Sequence, residues 1–160
     1  MDVKIISLGL EDEGGEHCEE ALCALMCCLN ALYTIERSAH WRAKPDNFYA
    51  DHLLFQRLYE AIPGEIDKLA EKMAVDCGLD VLRADLLSQG TCDKVCEIVD
   101  CCSDDPYELS LNAENCVLEI IQCAMDAIEA SNLRKLGWED LLGEMTSKHE
   151  EHIYLLKHSM

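Results

Sequence analysis

Positive charge is scarce in this sequence. Lysine and arginine together number 13 against 32 aspartates and glutamates, a formal net charge of -19. Such a surface argues against nucleic-acid phosphates or anionic lipid as partners and favours cations. A secretory leader is not expected either, since the apolar stretch Val3 to Leu10 is short and has neither a basic flank nor a cleavage site. No run approaches the length needed to span a membrane. No segment alternates in the manner of a strand, and neither an internal repeat nor a low-complexity tract is present. With 160 residues, 49% of them hydrophobic, the chain is one domain (1–160, residues 1–16 forming an N-terminal arm). It is large enough to bury its core without disulfides or a structural metal.

Cysteine, by contrast, is abundant. The 11 cysteines are odd in number and include the adjacent pairs Cys27-Cys28 and Cys101-Cys102, which does not suit a disulfide framework. The expectation is a soluble protein of a reducing cytoplasm, its thiols mostly free. Cys23 with Cys27, and Cys92 with Cys96, stand four apart and could each offer one side of a thiolate metal site. Packing of cysteine as a small hydrophobe is the better reading.

Apolar residues recur at helical spacing. Leu22, Leu25, Met26, Leu29, Leu32 and Tyr33 define a first helix over 17–43, with Glu36 and His40 on the same stripe. After a Pro45-Asp-Asn turn, with Asn47 as N-cap, a second helix buries Phe48, Phe55, Tyr59, Ile62, Ile66, Leu69 and Met73 and stops at Gly78. Pro63-Gly64 lies inside it, so this helix is either kinked or split there. From Gly78 to Ser110 the pattern weakens into short helical pieces (80–87 and 92–101), then breaks at Ser103-Asp-Asp-Pro. A third helix, about 111–131, buries Val117, Ile120, Ile121, Ala124 and Ile128. A fourth, about 138–158, buries Leu141, Leu142, Met145, His149, His152, Ile153 and Leu156. This order is that of an all-α, ferritin-like four-helix bundle with a long crossover that contains short helix.

His40, His52, Asp67 and Glu71 form a candidate metal-ligand set, because imidazole and carboxylate suit iron, manganese or zinc. Asp67 and Glu71 share a helix face, and His52 lies within roughly 60° of Asp67 around the axis. The rise is against a shared ion in one subunit, since 15 residues of straight helix separate these groups by roughly 22 Å. Two antiparallel copies about a two-fold axis would bring the histidine end of one to the carboxylate end of the other.

The segment Ala39-His-Trp-Arg-Ala-Lys-Pro-Asp-Asn-Phe-Tyr-Ala-Asp-His-Leu-Leu-Phe-Gln-Arg-Leu-Tyr, continuing through Ile66-Asp-Lys-Leu-Ala-Glu-Lys, resembles the signature of the Dps miniferritins. In that family an HW pair precedes a second histidine twelve residues on and a distal D-x-x-A-E-[RK] element. Asp140-Leu-Leu-Gly-Glu-Met through Lys148-His-Glu-Glu-His is similar to the family's C-terminal helix. The resemblance runs from about Cys28 to His158. It implies a hollow homo-oligomer, a dodecamer built from dimers, that oxidises Fe(II) with hydrogen peroxide or oxygen at inter-subunit sites and stores ferric iron, with zinc or manganese as substitute ions. His40 and His52 of one subunit and Asp67 and Glu71 of its mate then carry the chemistry. The chain has no E-x-x-H motif, so an intra-bundle di-iron site is not expected.

Two departures from the family pattern matter. The aspartate usual four residues after the second histidine is here Gln56, a weaker ligand for a dication, so one metal position is expected to be better held than the other. Glu36 or Glu60 could supply the missing charge. The lysine-rich arm that binds DNA in many members is replaced by an acidic one, so DNA binding is not expected. His149 and His152 could bind a transition metal, but packing inward with Glu150 and Glu151 outward is the simpler reading. Trp41 is expected to pack beside the histidines. The competing function is a shell without turnover, a zinc- or thiol-based stress protein.

Overall fold

A computed structural model describes residues 13–101, 104–131, 133 and 135–160, with side chains from residue 17. The described residues contain six α-helices and no strand. They are α1 (Glu13–Trp41), α2 (Phe48–Ala61), α3 (Pro63–Asp76), α4 (Ala84–Asp100), α5 (Pro106–Ala130) and α6 (Lys135–Ser159), with single 3-10 turns at Pro45–Asn47 and Asp80–Leu82. α2 and α3 together form one leg of a four-helix bundle, so the all-α ferritin-like architecture is as expected. Residues 1–12 of the expected arm lie outside the described residues, and 13–16 already belong to α1.

The leg is split rather than smoothly kinked. Pro63 has no amide to offer Tyr59, so the ladder breaks for one residue while Ile62 keeps helical angles (φ -73, ψ -40). α3 then restarts with Pro63 at its first position, where a missing N–H costs nothing. It ends where expected. Gly78, at φ 92, sends its amide back to Met73 O at 3.2 Å, a left-handed closure that a side chain would strain.

The crossover is more ordered than its weak pattern suggests. In place of two short pieces, α4 is one 17-residue helix that packs along α1. Its mostly exposed surface dilutes the apolar stripe, leaving Ile98 as its buried residue. α5 begins five residues before the expected start, because Asp105 caps it. The Asp105 carboxylate accepts from the amides of Tyr107 (3.0 Å) and Glu108 (3.4 Å) and pairs with Lys44 at 2.5 Å, while Pro106 occupies the first turn.

The core falls into two apolar clusters. The larger joins Leu22, Leu29 and Leu32 of α1 to Leu69, Val117, Ile121, Trp138 and Leu142; the smaller comprises Ala39, Phe55, Leu58, Tyr107 and Leu156. α1 is the central helix, touching α2, α3, α4 and α5. That centrality corrects one sequence expectation: His17–Trp41 is long and apolar enough, by length and composition, to cross a membrane. A helix packed on several sides needs apolar residues around most of its circumference, and half of this stretch is buried in the bundle. Phe48, expected in the core, is half exposed.

Candidate metal centre

Between the two clusters runs a buried polar layer. Along α6 the order is Met145, then His149 and His152, then Leu156, all on one buried face because positions three and four apart share it. α1 contributes Glu36, α5 contributes Glu114, and α3 contributes Glu65, in the first turn after the Pro63 break. Glu36, Glu65, Glu114 and His149 are at most 1% exposed, and His152 is 5% exposed.

Glu114 organises the layer. Its Oε2 accepts from His149 Nδ1 at 2.6 Å and its Oε1 from His152 Nδ1 at 2.8 Å. Because a carboxylate only accepts, both imidazoles carry a proton on Nδ1, and their Nε2 atoms face elsewhere. His149 Nε2 lies 3.2 Å from Glu65 Oε2, and Lys148 Nζ lies 3.2 Å from Glu65 Oε1. These are charge contacts without hydrogen-bond alignment, and both carboxylate oxygens of Glu36 have no hydrogen-bond partner.

Three carboxyls in one dry layer cannot all stay ionised without compensating charge. Burial, then the charge and close approach of the Glu114 carboxyl and the charge of Glu65, raise the Glu36 carboxyl well above the ordinary range. Burial works against Glu114 too, but the hydrogen bonds from His149 and His152 outweigh it and hold that group low. For His149, desolvation opposes protonation, yet Glu114 and Glu65 together push it up to about 9. The donor set fits a divalent transition metal on chemistry alone: Glu and His ligands, buried oxygens on Glu36 and Glu65 without hydrogen-bond partners, and Glu114, His149 and His152 ligand atoms within 4.8 Å of one another.

The lack of E-x-x-H therefore did not preclude an intra-bundle cluster. α6 supplies an H-x-x-H pair, and three other helices supply one glutamate each. A usable signal was present: Glu65 and Glu114 sit on the apolar stripes Ile62/Leu69 and Ala113/Val117, where a solvated glutamate has no place. His149 and His152 do pack inward, with Glu150 and Glu151 exposed, as expected.

The residues singled out from the sequence fall into two groups. His40 and His52 meet within the subunit, rings stacked at 3.6 Å between centroids, with Phe48 stacked on His52 at 5.0 Å. Asp67 and Glu71 are exposed on α3 and make no contact with that pair inside the chain among the described residues. Gln56 is engaged elsewhere, donating from Nε2 to Glu60 Oε1 at 2.7 Å. Glu36 does not supplement His40, because it turns into the bundle. Trp41 is 65% exposed and lies under the Arg37 guanidinium, 5.0 Å from its ring, instead of against the histidines.

No family model matches the chain. An uncharacterised protein of Haemophilus influenzae is 30% identical over 67 residues, so the matched region spans 42% of this chain and 42% of that relative. Among solved structures, the fold is that of the Dps protein of Vibrio cholerae O1, a member of a broad superfamily of ferritin-like diiron-carboxylate proteins. The two superpose with a TM-score of 0.71 at 15% identity, over 99% of this chain and 98% of that one. The class is thus a ferritin-like bundle, and its particular likeness is to a Dps subunit.

Proposed function

We propose that this chain is an iron-binding, ferroxidase-type oxidoreductase whose principal metal centre is the buried layer of Glu36, Glu65, Glu114, His149 and His152. The observation that carries the reading is the Glu36 carboxyl, fully buried in the centre of the bundle without a hydrogen-bond partner and beside a histidine-glutamate cluster. A buried acid with no partner destabilises a fold, and a bound cation removes that penalty. Ferrous iron is the substrate, not a resident cofactor. Two Fe(II) ions supply the two electrons that reduce one hydrogen peroxide to two waters, with two protons consumed. Glu36 and Glu65 would hold the ions with the Nε2 atoms of the histidines, while Glu114 fixes both rings. Ferric charge is neutralised by the carboxylates.

A second site is favoured by the stacked pair of His40 and His52, which completes half of a metal shell. Asp67 and Glu71 of a second copy would supply the other half, with Gln56 as a weak ligand. Trp41, Phe48, Tyr49 and Leu53, all exposed near the pair, provide the apolar surface for that copy. The functional unit is then a homo-oligomer, a hollow dodecamer of cytoplasmic location that stores iron and does not take DNA as a partner.

One experiment separates the sites. Fe(II) is titrated anaerobically, then peroxide is added while ferric absorbance and native mass are followed. Glu114→Ala with His149→Ala should abolish the fast phase while leaving the oligomer intact; His40→Ala with His52→Ala should remove only the second binding class. Unchanged oxidation in the first double variant overturns the bundle centre. Unchanged stoichiometry in the second overturns the shared site.

A further inference from the structure

A thiol pair lies outside both metal sites. Cys28 on α1 is fully buried, Cys116 on α5 is partly exposed, and Cys28 Sγ donates to Cys116 Sγ at 3.6 Å. The two residues are 88 positions apart in sequence, so the contact is created by packing of the two inner helices. Cys116 is two positions from Glu114, about 200° around the helix, and points away from the metal layer. It lines an open cleft of ≈ 290 Å³ with Glu97, Cys101, Asn112, Asn115 and Glu119. One sulfur is thus reachable by a small solute, and the other waits behind it, shielded from solvent.

We infer that Cys28 and Cys116 form a reversible disulfide between α1 and α5, with hydrogen peroxide as oxidant and Cys116 as the sulfur that meets it. The Cys116 sulfur attacks one peroxide oxygen, and the O–O bond breaks. The thiol proton goes to the departing oxygen, which leaves as water. Cys116 is then a sulfenic acid. Cys28 sulfur attacks the Cys116 sulfur, the S–O bond breaks, and a second water leaves with the Cys28 proton. Two thiols have lost two electrons and two protons to one peroxide. Bond formation needs the sulfurs to close from 3.6 Å to about 2.05 Å. A dithiol returns the pair to its reduced form by exchange. The inference does not depend on either metal site.

The test uses the full chain, fully reduced and stripped of metal with a chelator, and one equivalent of hydrogen peroxide. After alkylation and digestion with trypsin and a glutamate-specific protease, cross-linked peptides are sequenced by mass spectrometry, with fragment ions separating Cys27 from Cys28. The expected main product links Cys28 to Cys116 and disappears on treatment with dithiothreitol. In Cys28→Ala, Cys116 should be trapped by dimedone; in Cys116→Ala, Cys28 should remain a thiol. Oxidation confined to Cys92, Cys96 or Cys101, with Cys28 and Cys116 both alkylated, overturns the inference. So does oxidation of Cys28 at an undiminished rate in Cys116→Ala. If a variant does not fold, the wild-type cross-link map alone decides.

Discussion

His40 and His52 fix one another: Nδ1 of His40 donates to the main-chain carbonyl of His52 at 2.8 Å, and Nδ1 of His52 to that of His40 at 3.1 Å. A carbonyl can only accept, so each ring carries a hydrogen on Nδ1, and its neutral form keeps the lone pair on Nε2. In metal sites such outer hydrogen bonds set tautomer and orientation. Here the ring of each ligand candidate is oriented by the backbone of the other. Long-range proton–nitrogen correlation spectra at alkaline pH should place both histidines in the Nδ1–H tautomer. Signals from an Nε2–H form would contradict the reciprocal pairing.

Glu36 should set stability against metal binding. Replacing its unpartnered carboxyl with a side chain of similar length, Glu36→Met, is expected to stabilise the metal-free protein by about 1–3 kcal/mol. Metal should then add less to the denaturation midpoint than it does in the wild type. Urea unfolding with and without added Fe(II) under anaerobic conditions measures both. A destabilised metal-free variant would mean that Glu36 has a partner in solution.

The cap of α5 should carry an acid-sensitive share of stability. The Lys44 ammonium, followed by the amides of Tyr107 and Glu108, holds the Asp105 carboxyl below its usual range against the opposing effect of burial. A depressed folded value means the stabilisation is present above the unfolded value and lost as pH falls through the folded one. Asp105→Ala should therefore cost about 1 kcal/mol at neutral pH, with the gap to wild type closing below about pH 4. A gap that persists into strong acid would assign the effect to something other than the ionised cap.

The two tryptophans should report on different places. Trp138 is fully buried, its Nε1 donating to Asp76 Oδ2 at 2.8 Å, whereas Trp41 is 65% exposed. Acrylamide should quench a Trp41 component alone, and Trp41→Phe should leave an emission almost insensitive to it. Trp138→Ala should cost about 3–5 kcal/mol in chemical denaturation. If assembly covers Trp41, its quenching falls as the native mass rises.

Much of the fold was legible because helices announce themselves locally. The stripes of α1, α5 and α6, the glycine stop at Gly78 and the proline-led break before α5 each follow from the 3.6-residue period and from backbone chemistry. α4 shows in the sequence only as fragments because a crossover helix on the bundle's flank buries too little to make a stripe. Phe48 is half exposed where its stripe predicts burial, because apolar character does not say whether a side chain packs in its own subunit or on its surface.

The site divides in the same way. His40, His52, Asp67 and Glu71 could be named from spacing and resemblance, and the rise per residue already denied them a common ion within one helix. Glu36, Glu65, Glu114, His149 and His152 are five residues on four helices, with no shared local motif. Local sequence determined which face of each helix was apolar and which positions interrupted it. Only the packing of the four legs decided that those interruptions lie at one level, because side chains distant in sequence meet only when helix register and axis are set by the rest of the core.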